Sequence, residues 1–112
     1  MSIFVWPAWR RARRLLERRY PGLSATFGER KKIFLIHFRN IVGDRNKFQE
    51  VWPDEGVMNM HRNMQVRKKV EYEHMVVPDH APGHQDPENR RQGFAFDFGY
   101  IKAMIQAVMD ED

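Results

Sequence analysis

Two short runs of strand-forming residues, Ile33-Phe-Leu-Ile-His-Phe38 and His74-Met-Val-Val-Pro78, do most to limit what this chain can fold into. Each is nearly continuous in apolar residues, as expected of a parallel strand buried on both faces. A period of two places Ile33, Leu35, His37 and Arg39 on one side of the first run. Between the runs, Met58–Tyr72 reads as a helix, with Val57, Met60, Met64, Val66 and Val70 forming a loose apolar stripe. Strand, helix and strand in this order predict a βαβ unit with right-handed parallel pairing. Each run also ends in chemistry: His37 and Arg39 close the first, and Asp79-His80 follows the second. Parallel α/β sheets and (β/α) barrels keep their active sites at such C-terminal strand ends.

The rest of the chain frames this unit. Residues 7–20 predict an Arg-rich helix with Trp9, Ala12, Leu16 and Tyr20 on one face, stopped by Pro21-Gly22. Residues 41–57 read as loop, with Gly43-Asp44, Pro53 and Gly56. Residues 81–92 read as a polar loop over the mouth of the site, and Tyr100–Met109 as a closing helix. With 112 residues the expectation is one domain, and a complete (β/α) barrel takes roughly 250.

The formal charge of +4 is unevenly spread: residues 1–32 hold nine Lys/Arg against two Glu, and residues 33–112 ten against thirteen Asp/Glu. That asymmetry suggests two pieces of different duty. The basic arm fits a solvated or partner-facing helix, a phosphate-binding arm, or an organelle-targeting presequence. Cysteine is absent, which removes disulfides and thiolate ligands. No apolar run approaches the ~20 residues of a membrane span.

At the strand ends, His37 and Asp79 combine an imidazole and a carboxylate, which suits Mn²⁺, Fe²⁺ or Co²⁺ better than a structural zinc. His80 fits a general acid or base, the common role of an imidazole in catalysis. Arg39 offers a planar fork for a substrate carboxylate. Against this, a histidine at a strand end is more often a hydrogen-bonded structural residue than a ligand, and Asp79-His80 after Pro78 is also ordinary turn chemistry. His61, His74 and His84 read as solvent-facing, and Met58, Met60 and Met64 as core packing.

The segments Lys32-Ile-Phe-Leu-Ile-His-Phe-Arg-Asn-Ile41, Phe48-Gln-Glu-Val51, Asp54-Glu-Gly-Val-Met-Asn-Met60 and Val77-Pro-Asp-His80 resemble the C-terminal part of the mannonate dehydratase family. Gln92-Gly-Phe-Ala-Phe96 and Gly99-Tyr-Ile-Lys-Ala-Met104 fit the same family, so the resemblance covers about residues 27–112, with residues 1–26 outside it. It implies an α/β fold, the last βαβα portion of a (β/α)₈ TIM barrel, with the two strands as its seventh and eighth. It implies dehydration of D-mannonate to 2-keto-3-deoxy-D-gluconate in hexuronate breakdown, in the cytoplasm. The cofactor implied is Mn²⁺, or Fe²⁺ or Co²⁺, held in the family by two His, one Cys and one Asp. The matching positions make His37 and Asp79 metal ligands and His80 the catalytic histidine. The second His and the Cys fall on earlier strands, and Phe94 stands where some members carry a catalytic Tyr. The expectation is therefore a truncated copy, inactive alone, that forms an oligomer or needs partner strands. The rival expectation is a small non-catalytic module whose Arg-rich arm binds nucleic acid or an acidic partner.

Overall fold

The computed structural model describes residues 22–83 and 85–111, so the predicted helix over 7–20 and His84 lie outside the described residues. Residues 22–29 are helical (α1). They lead into β1 (Leu35–Phe38), β2 (Asn40–Gly43), β3 (Phe48–Val51), α2 (Met60–Lys69), β4 (Met75–Pro78) and α3 (Pro87–Met109). The architecture is mixed α/β, with two small sheets among the described residues.

The predicted βαβ unit is present. Strands β1 and β4 pair in parallel, with Leu35 opposite Met75, His37 opposite Val77 and Phe38 opposite Pro78. Burial on both faces is not observed. Ile36 and Phe38 are buried, whereas Leu35 is 51% exposed and Met75 67%. The cause is one-sided cover: Ile36 and Phe38 pack with Met60 and Met64 of α2 and with Ile101 and Val108 of α3. The opposite face, which carries Leu35 and His37, is open among the described residues.

Both helices that feed the parallel strands end in the same way. Lys31 and Glu71 have φ of 55° and 54°, a left-handed conformation usually given to glycine. Lys31 and Lys32 N–H donate to the Gly28 and Phe27 carbonyls, and Glu71 and Tyr72 N–H to those of Lys68 and Arg67. These 5→2 and 6→1 bonds define a Schellman motif at each end. The two corners touch, because the Lys31 ammonium donates to the Val70 carbonyl at 2.7 Å. A Cβ on Gly28 would lie 2.6 Å from Val70 Cγ2, so only glycine allows this approach.

Two segments read as loop are regular. Within 41–57, β2 and β3 form an antiparallel hairpin with Asn40 opposite Val51 and Gly43 opposite Phe48. Gly43-Asp44 is its turn entrance. Gly43 has φ 102°, and the Asp44 carboxylate accepts the N–H of Asn46 at 2.8 Å and of Lys47 at 3.1 Å. Those two bonds favour the ionised form and lower the Asp44 pKa. Within 81–92, helix α3 already begins at Pro87, capped by the Asp86 side chain accepting from Glu88 N–H at 2.9 Å.

Asn40 joins the hairpin to the segment before α2. Its side chain is buried and makes four bonds: Nδ2 donates to the Pro53 and Met58 carbonyls, and Oδ1 accepts from the Ile41 and Met58 N–H groups. A Cβ on Gly56 would lie 2.0 Å from Asn40 Oδ1. Helix α2 is held to the end of α3 by Lys68, whose ammonium donates to the Val108 carbonyl at 2.6 Å.

Candidate active site

Parallel pairing sends the chain off β1 and β4 at the same end of the sheet, and four of the residues singled out above meet there. His37, on the open face of β1, places Nδ1 3.3 Å from Asp79 Oδ1. Arg39 Nη1 lies 3.2 Å from Asp79 Oδ2 and also pairs with Glu50 Oε1. His80 Nδ1 is 3.1 Å from both Glu50 oxygens, and its Nε2 is 3.7 Å from Asp79 Oδ1. Two carboxylates, one guanidinium and two imidazoles thus form one connected cluster. Its carboxylates are the shielded members: the Asp79 and Glu50 side chains are 18% and 22% exposed, those of His37 and His80 56% and 55%. The imidazoles therefore face whatever enters.

A cavity of about 370 Å³ opens beside this cluster, lined among others by His37, Arg39, Phe48, Met58, Asn63 and Arg67. The Arg39 guanidinium sits 5.8 Å from the centroid of the Phe48 ring, which leans it across the hairpin. Arg67 is held by the Asn63 carbonyl at 2.6 Å, and burial lowers its pKa below the usual arginine range.

Side chains of this cluster stand close enough to hold a metal ion. Two neighbouring ligands at about 2.1 Å from one ion stand about 3 Å apart, close to the separation of His37 Nδ1 and Asp79 Oδ1. Glu50, Asp79 and His80 also bring one ligand atom each within 4.8 Å of the others.

Comparison with known families gives a match to D-mannonate dehydratase over residues 17–110. The chain belongs to that family. The match begins ten residues before residue 27, so it takes in α1 and the end of the basic arm. D-mannonate dehydratases are lyases of carbohydrate metabolism that act on a sugar acid. No curated protein and no solved structure matches the chain. No helix among the described residues is long and apolar enough to cross a membrane.

The cluster's fifth member, Glu50, escaped sequence reasoning. Its signal was present: Ile41-Val42 and Phe48–Val51 flank a Gly43-Asp44 turn, which is a hairpin pattern. The other histidines lie elsewhere. His61 Nε2 pairs with Glu111 at 2.6 Å, and the exposed His74 ring contacts Phe34 and Tyr72, each at 5.6 Å between centroids. Met60 and Met64 are core residues, with Met58 packed against them. Phe94 lies half-buried on α3.

Proposed function

We propose that this chain supplies the last two strands and the strand-end chemistry of a D-mannonate dehydratase barrel, converting D-mannonate to 2-keto-3-deoxy-D-gluconate. The observation that carries the reading is the convergence of His37, Arg39, Asp79 and His80 at one end of a parallel strand pair, in a chain of this family. The proton next to a carboxylate is a very weak acid, so its removal needs the substrate carboxylate held and its developing charge offset. Arg39 takes the carboxylate through its guanidinium fork. His37 and Asp79 hold a divalent cation, Mn²⁺ or else Fe²⁺ or Co²⁺, which supplies positive charge beside the substrate when bound. His80 moves a proton: the C2–H bond breaks, the C3–O bond breaks, and the hydroxyl leaves as water. The resulting enol becomes the 2-keto acid.

The barrel needs more strands than the chain shows. Among the described residues β1 and β4 each have one partner, and Phe34, Leu35 and Met75 expose apolar side chains beside the open edges. In this reading further strands cover that surface and bring the remaining metal ligands. The decisive test is a hybrid enzyme in which residues 27–112 of this chain replace the matching stretch of an active D-mannonate dehydratase. Mn²⁺-dependent formation of the keto acid is the expected result. A hybrid that folds and binds Mn²⁺ but turns over no mannonate would sink the proposal.

A further inference from the structure

We propose that the free edge of β1 is a docking groove for an extended segment bearing one acidic side chain, whose carboxylate pairs with Arg67. The inference rests on the reading that further strands complete the barrel, and it names the chemistry of the one that adds beside β1. The cavity next to the strand-end cluster is lined by His37 and Phe38 of β1 and by Arg39 after them. Successive side chains of a strand point to opposite faces, so a cavity that meets all three runs along the strand's edge. No residue of β4 lines it, and β4 is the strand that pairs with β1 among the described residues. The cavity therefore follows the opposite edge, whose unpaired backbone groups are a template for another strand.

Arg67 sets the charge of the occupant. It follows Asn63 and Met64, buried residues of α2, by four and three positions, so it lies on the helix face turned toward the sheet. Its Nη1 donates to the Asn63 carbonyl at 2.6 Å, while its Nε is buried with no hydrogen-bond partner. A guanidinium left unpaired away from water is costly, and a carboxylate is the group that matches its fork. The cavity supplies no free carboxylate of its own. Among its described lining residues Arg39, Arg45 and Arg67 are cationic and Asp44 alone is acidic, with Oδ1 already accepting from the Asn46 and Lys47 N–H groups. A strand added along β1 puts alternate side chains on the face of Ile36 and Phe38, the face that α2 covers. An Asp or Glu at one of those positions meets Arg67, and apolar neighbours meet Phe38, Met58 and Met60. A small anion would leave the strand edge and that apolar wall uncovered, so the observations favour an extended segment.

The test uses the full chain and two acetylated, amidated octapeptides that alternate Val and Thr, with a central Val replaced by Glu in the first and by Gln in the second. Affinity is measured by isothermal titration, and contact by the Arg67 Nε–H signal in ¹H–¹⁵N spectra, assigned from its loss in Arg67→Gln. The Glu peptide is expected to bind about tenfold more tightly than the Gln peptide, the size a hydrogen bond to a charged group confers, and to shift the Nε–H signal. In Arg67→Gln the two peptides should bind alike. Arg45→Gln removes a charge of the same sign from the same cavity and should keep the tenfold ratio, which separates pairing at Arg67 from general attraction. Equal affinities in the wild-type chain, no binding of either peptide, or a ratio that survives Arg67→Gln or is lost in Arg45→Gln overturns the inference. So does free acetate that shifts Nε–H at the same concentration as the Glu peptide, since the groove would then be a small-anion pocket. The wild-type comparison decides even if a variant fails to fold. Neither Mn²⁺ nor mannonate enters these measurements, so failure of the dehydratase reading in the hybrid enzyme and failure of this one are distinguishable.

Discussion

A single amide, Asn40, satisfies four backbone groups around the start of the hairpin. Asn40→Ala would leave buried carbonyl and N–H groups of residues 53–58 without partners, at about 1–3 kcal/mol for each such group. A loss of about 3 kcal/mol or more in urea unfolding is expected. Asp79 and His80, neighbours in the chain, should fail differently when changed in the hybrid enzyme. Asp79→Asn should lose bound Mn²⁺ and activity together. His80→Asn should keep the metal and lower kcat by about 10²–10⁴-fold. Equal metal loss in both variants, by elemental analysis, would make His80 a ligand or a support. Asp97 gives a pH-dependent case. It is buried in α3, its Oδ1 has no hydrogen-bond partner, and burial pushes its pKa up from 3.8 to about 6. Because the folded value is the higher one, the folded chain binds that proton more tightly. The advantage is complete below the unfolded value and is lost as pH rises through about 6. Asp97→Asn should therefore stabilise the chain by about 1–3 kcal/mol near pH ~7.5 and by much less near pH ~4, read as the difference in Tm between variants. Four of the five clustered side chains were legible because they stand at strand ends. Glu50 was not, since its role depends on a fold-back that brings residue 50 beside residue 80.

At the level of elements, the parallel pair and α2 were readable because apolar periodicity and β-branched runs agreed there. The hairpin was missed because Gly43-Asp44 and Pro53 were weighed as breakers, though Gly43 at φ 102° is what a tight return requires. The start of α3 was missed for a different reason. Residues 85–92 are exposed, so the first turns of a helix facing water look like a loop by polarity. Asp86 and Pro87 nevertheless carry the start signals of a helix. The helix-to-strand corners supply a prediction of their own. Glu71 holds a left-handed conformation, and its side chain is 83% exposed, with an ion pair to Lys31 at 3.7 Å. Such an exposed pair is worth little. Glu71→Gly should relieve the backbone strain and raise stability by about 0.5–1 kcal/mol after glycine's own entropic cost. Glu71→Ala should give no gain, and equal midpoints for the two variants would count against the strain argument.

For the molecule as a whole, the two metal ligands proposed for this chain would leave most of a divalent ion's coordination to water, so the chain alone should bind Mn²⁺ weakly and turn over no mannonate. Isothermal titration and a keto-acid assay check both points, and measurable dehydration by the chain alone would show that no further strands are needed. The open apolar face around Phe34, Leu35 and Met75 should also promote self-association, visible by sedimentation as a concentration-dependent mass. The register carries a kinetic consequence. Gly43 pairs with Phe48 across a short turn, whereas Ile36 must find Val76 from the far side of α2. Hairpins close in about 1–10 μs, and distant strand pairing is slower because more chain entropy is lost before any contact forms. Arg39 and Glu50 should accordingly meet early, with Asp79 and His80 arriving last. A ligand that needs His37 and Asp79 together then finds its site only after the slowest contact has closed. Such a ligand should lengthen the lifetime of the folded chain while leaving its rate of formation almost unchanged.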